Sequence, residues 1–82
     1  PGARTSLTDE NKTEVMKVFK SKIEKMTHDF KNHQLIVQDK KILISHPEGF
    51  LVCEEVQLPN KKRMPAIDLL NGYTFSTKIS VK

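Results

Sequence analysis

The sequence predicts a mainly β fold: a small Greek-key barrel with one short helix near the C-terminus. Three observations lead there. Short apolar runs at residues 35–38, 42–45 and 50–58 are separated by turn residues. A single short apolar stretch at 66–70 closes on Asn71-Gly72, as a helix does. The chain has 82 residues and 37% hydrophobic content, enough for one small core. Several short strands with one late helix fit a small barrel.

Taken in order, Pro1-Gly2 reads as a turn and as the continuation of a longer chain. Residues 3–7 form a short strand with Thr5 and Leu7 on one face, and residues 8–12 are polar and turn-like. Residues 13–30 are ambiguous. Val15, Phe19, Ile23, Met26 and Phe30 recur at helical spacing, with Lys17, Lys20, Glu24 and Lys31 opposite. The same stretch is rich in β-formers, and Val15, Lys17, Phe19, Ser21 and Ile23 would share one face of a strand. Periodicity alone favours the helix.

Residues 35–38 and 42–45 are strands joined by Asp39-Lys40-Lys41, a hairpin of familiar loop length. Pro47-Glu48-Gly49 is the next turn. Residues 50–58 form the longest clear strand; Leu51, Cys53 and Val56 break strict alternation at Glu54-Glu55, where a bulge would restore the inward face. Asn71-Gly72 ends the helix with a residue expected at positive φ. Residues 73–81 alternate and read as a last strand or an ordered tail.

Composition excludes more than it assigns. No apolar run is long enough to span a membrane, and the start has no signal-peptide pattern. The single Cys53, among Leu51, Val52 and Val56, is a core residue and points to a reducing compartment. His28, His33 and His46 lack the spacing of a metal site and read as exposed loop residues. Adjacent strand residues such as Glu54 and Glu55 face opposite ways, so they are surface rather than a catalytic pair. With only three glycines, at 2, 49 and 72, there is no phosphate-cradling loop.

One stretch carries chemistry. Lys61-Lys62-Arg63 follows Pro59-Asn60 on a loop leaving a strand, next to a helix start whose backbone N–H groups favour anions. Residues 12–31 add six Lys against three acids, within a net charge of +4. Two basic clusters on one small barrel can trace a phosphate backbone. Few aromatics (one Tyr, four Phe) favour backbone contact over base stacking.

Residues 49–72, GFLVCEEVQLPNKKRMPAIDLLNG, closely resemble the end of methionyl-tRNA formyltransferases. That family's C-terminal domain ends in a G-x-L-x-I strand, then L-Q-x-x-G-K-K-R-M-S-A, then a short helix closing in F-L-N-G. Pro1-Gly2-Ala3-Arg4-Thr5 resembles the P-G-A-aromatic-T segment where that domain begins, and residues 13–19 its lysine-containing second strand. Residues 25–34 match poorly.

The resemblance implies an OB-fold barrel and turns residues 13–25 from helix to strand, the helical spacing then arising from a curved strand touching the core irregularly. It implies a C-terminal domain that holds initiator tRNA by its phosphate backbone, while an N-terminal catalytic domain, outside this chain, transfers the formyl group from 10-formyltetrahydrofolate. The expected tRNA contacts are Lys61, Lys62 and Arg63, with Lys17 and Lys20 by their place on the basic strand; no catalytic residue, metal or cofactor is expected in this domain, and the location is cytoplasmic. Alternatives are the corresponding domain of a sugar-nucleotide formyltransferase, or a module that only packs on its catalytic domain, with Arg63 in an ion pair. Four departures bear on loops: Asn60 stands where the family has Gly, Pro65 where it has Ser, Arg4 where it has an aromatic, and no Gly occurs around Asn32-His33-Gln34.

Overall fold

The computed structural model describes residues 3–9, 12–75 and 79–81. Strands β1 (Ala3–Thr8), β2 (Thr13–Lys25), β3 (Leu35–Gln38), β4 (Lys41–His46), β5 (Gly49–Gln57) and β6 (Met64–Pro65) precede helix α1 (Ala66–Gly72) and strand β7 (Ser80–Val81). The sheet runs β3-β4-β5-β2-β1-β7, and β6 pairs with β5. Strands β5, β4 and β3 are successive neighbours, while β2 returns beside β5 through the long connection 26–34; this is the Greek-key order. β7 pairs with β1 on one side. On its other side Gln34 bridges Ser80, Leu35 N–H donates to Ile79 C=O and Val81 N–H to His33 C=O, so the two edges of the sheet meet. The result is a small, mainly β barrel with one short helix, as expected.

The turns follow their chemistry. Asp39 and Lys40, at φ 53° and 59°, make the two-residue link of the β3–β4 hairpin. Gly49 opens β5 at φ 153°, and a Cβ there would lie 2.1 Å from the Glu24 carbonyl oxygen. Only glycine lets β5 come this close to the end of β2. His33, at φ 60°, takes a left-handed position within the 32–34 stretch, which has no Gly. Gly72, by contrast, closes α1 without a positive φ; the chain leaves through an extended Tyr73. Of the alternating 73–81 segment, Phe75, Ile79 and Val81 are buried, and residues 76–78 lie outside the described ones.

β2 is a strand throughout, not the helix its apolar spacing favours, and that spacing does not come from a curved strand touching the core irregularly. Met16 and Val18 are its core residues. Val15 is 44% exposed, Ile23 72%, Met26 49% and Phe30 45%, so four of the five helically spaced residues are largely solvent-facing. The spacing does not record contact with the core.

The expected bulge is present. Val18 pairs with Val56, Lys20 with Glu55, and Ser21 with Cys53, so Phe19 is extra on β2 and Glu54 on β5. The offset keeps Cys53 and Val56 both inside the main core, with Leu7, Met16, Val18, Leu35, Ile42, Ile44, Leu58, Leu69 and the C-terminal apolar residues. Cys53 is 1% exposed, and burial pushes its thiol from about 9 up to about 12.

A second apolar cluster, Leu43, Phe50 and Val52, lies on the other side of β4 and β5. The 26–34 connection covers it. His28 packs 4.6 Å from the Phe50 ring, accepts the Phe30 N–H at Nδ1 (3.1 Å) and donates from Nε2 to the His46 carbonyl (2.6 Å). This half-buried histidine is a brace, unlike the exposed His33 and His46. Fully buried Ser45 fastens the same connection: Gln34 N–H donates to its Oγ (2.9 Å), and the hydroxyl donates to the Lys31 carbonyl.

Candidate nucleic-acid interface

The basic loop is built by a tight turn at the end of β5. Lys61 N–H donates to the Leu58 carbonyl at 3.1 Å, with Pro59 second and Asn60 third in the turn. Asn60 has φ 63°. A proline followed by a positive-φ residue is the pattern of a type II turn, and Asn is one of the few side chains that tolerate that position. Gln57 Nε2 donates to the Lys61 carbonyl (2.9 Å) and holds the far side of the turn. The chain then re-pairs with β5, Met64 opposite Val56 and Pro65 opposite Glu55. Met64 packs partly buried on the core, and Ala66 and Leu69 of α1 are buried beneath it. Residues 61–63 are thus an exposed bridge pinned at both ends.

The three cations differ in their surroundings. Arg63 Nε donates to Glu55 Oε1, and its guanidinium lies 4.1 Å from the centroid of the Phe19 ring. The bulge makes this possible, because it leaves Phe19 outside the regular pairing beside Glu55. Lys20 Nζ stands 3.9 Å from the other Glu55 oxygen. One carboxylate therefore serves two cations. Lys61 Nζ is 5.8 Å from the Tyr73 ring centroid, at the limit of a cation–π contact. Lys62 is exposed, with no side-chain ion pair among the described residues.

Lys17 lies apart from Glu55. It is half-buried on the outward face of β2, opposite Arg4 of β1 on one side and Gln57 of β5 on the other. Gln57 is the link between Lys17 and the Lys61 backbone.

The structure thus gathers Lys20 and Arg63 on one acid, leaves Lys61 and Lys62 on the loop, and sets Lys17 beside Arg4. Sequence reasoning missed the organising residues Phe19, Glu55 and Gln57, whose roles depend on strand register. The helix start adds little: α1 has seven residues, Pro65 supplies no side-chain cap, and Asp68 already places a negative charge in its first turn. Among the described residues, no group of three or more His, Cys, Asp or Glu could hold a metal ion, and no helix is long and apolar enough to cross a membrane.

Comparison with known proteins agrees with this architecture. The chain is 37% identical over 81 residues to a methionyl-tRNA formyltransferase of Flavobacterium johnsoniae, covering 99% of this chain and 26% of that protein. It is 36% identical over 76 residues to one of Flavobacterium psychrophilum, covering 93% and 24%. With one of Clostridioides difficile the figures are 37% over 79 residues, 94% and 24%. The chain thus spans about a quarter of the length of these relatives. Residues 1–74 match the family described as formyl transferase, C-terminal domain, and the chain belongs to that family.

Proposed function

We propose that this chain is the tRNA-binding C-terminal domain of a methionyl-tRNA formyltransferase. On this reading it orients initiator Met-tRNA for formyl transfer from 10-formyltetrahydrofolate by an N-terminal catalytic domain. The folate and the chemistry belong to that domain; no step of it passes through residues of this chain. The supporting observation is the pinned loop, which presents Lys61 and Lys62 to solvent with no carboxylate ion pair among the described residues. Such cations bind phosphates without reading sequence and release counterions when they do. Arg63 joins them with the guanidinium N–H groups that Glu55 leaves free, and Lys20 contributes from the neighbouring strand.

The test uses the full natural chain containing these residues. Replacing Lys61 and Lys62 by Ala should reduce the magnitude of the log-affinity against log-salt slope for initiator tRNA by about 1.4–1.8. An unchanged slope with intact folding overturns the site.

The alternative of a purely structural role gains support only at Arg63, whose ion pair with Glu55 and contact with Phe19 would fix the loop even without tRNA.

A further inference from the structure

A second basic feature lies beside the loop. Arg4, Lys17 and Gln57 form one rung across β1, β2 and β5: the register sets Arg4 opposite Lys17 and Lys17 opposite Gln57. Directly opposed residues in an antiparallel sheet share a face, with Cβ atoms about 4.5–5.5 Å apart. Met16 and Val18 point into the core, so this rung points outward. In front of it is an open groove of about 360 Å³, walled by Val15, Leu58, Pro59 and Asn60.

Two cations directly opposed across strands repel each other. Three cations of the chain have carboxylate partners: Lys12 pairs with Glu14, while Lys20 and Arg63 share Glu55. No carboxylate among the described residues lies within ion-pair distance of Arg4 or Lys17. The arrangement costs stability on its own and becomes favourable when an anion sits between the two heads. A guanidinium engages two oxygens of a phosphate as a fork, and an ammonium adds a point charge beside it. Val15 and Pro59 give the groove an apolar side that suits the sugar of a phosphodiester better than a fully hydrated free ion. The groove is also continuous with the loop, since Gln57 donates to the Lys61 carbonyl.

We propose that Arg4 and Lys17 together clasp one backbone phosphate of the RNA in this groove, a contact separate from residues 61–63. Arg4 stands where the family pattern has an aromatic, so this chain replaces a stacking or packing side chain with a phosphate fork. The inference rests on the tRNA reading above.

The experiment measures tRNA affinity across a salt series for the full natural chain and for Arg4→Gln, Lys17→Gln, the double variant and Lys17→Glu, beside the Lys61→Ala/Lys62→Ala variant. The double variant should reduce the slope magnitude by about 0.7–0.9, the loss of one phosphate contact, and each single Gln variant by part of that. Lys17→Glu creates an opposed Arg–Glu pair, so it should melt no lower than the parent while binding tRNA more weakly. If the loop variant flattens the slope and the Gln variants do not, the inference falls and the tRNA reading stands. If neither does, both fall. If Lys17→Glu melts lower and keeps parental tRNA affinity, Lys17 is structural and the inference is overturned. Arg4 is exposed, so Arg4→Gln decides the matter even where Lys17→Glu does not fold.

Discussion

Two groups of cations on this barrel have opposite surroundings. Around Glu55, Arg63 is ion-paired and stacked on Phe19, with Lys20 in range of the same carboxylate. On the rung of Arg4 and Lys17, and at Lys62, no such acid is present among the described residues. In the first region a carboxylate holds the charge in a fixed geometry; in the second the charge has no carboxylate partner among the described residues. A basic run in a sequence does not distinguish these surroundings, because the difference lies in where a single glutamate stands.

The largest break in that comparison comes from the loop. Lys61→Ala/Lys62→Ala removes two unneutralised cations, and near 0.1 M salt tRNA affinity should fall by about thirtyfold, read by filter binding. Glu55→Gln erases the distinction from the other side. It releases Arg63 and Lys20, so tRNA affinity should rise and the salt slope steepen by up to about 1.4–1.8. Its stability cost should stay within about 1 kcal/mol, as for exposed ion pairs, measured by urea unfolding. An unaltered slope would show that removing the Glu55 charge adds no cation to the tRNA contact.

How much of this was legible depends on what a residue's role requires. Strands β3, β4 and β5 were readable because their turns are local: Asp39-Lys40 and Pro47-Glu48-Gly49 mark them within a few residues. β2 was misread by periodicity because apolar residues outside the core, such as Ile23, imitate a helix stripe; only the family resemblance corrected it. The loop at 61–63 was visible as composition. Its split was not, because Glu55 meets Lys20 only through a register offset at Phe19 and Glu54. Arg4 stood out in the sequence only as a departure from the family pattern; its partner Lys17 appears when β1 and β2 are paired.

Smaller effects sharpen the contrast. Phe19→Leu removes the ring under Arg63 and should destabilise the fold by about 0.5–1 kcal/mol, the range of an exposed cation–π contact, with little change in tRNA binding. A binding loss as large as that of the loop variant would place Phe19 among the functional residues. As a control on the common core, Cys53 is protonated in the fold up to about 12 but ionises near 9 when unfolded. Its contribution is fully present below pH 9 and is lost as pH rises toward 12. Between pH 8 and 10 the parent should lose about 1 kcal/mol more stability than Cys53→Ala, read from denaturant curves at each pH.

The barrel's closure has a consequence in time. β7 pairs Val81 with Leu7 on one side and meets residues 33–35 on the other, so the latest described strand joins two of the earlier ones. Pairings this distant in sequence form slowly. Without 79–81, β1 and the 33–35 stretch would each present an unpaired edge. Open edges recruit other strands, including those of sister chains. Residues 79–81 cover both edges at once, and so remove a template for strand pairing between chains.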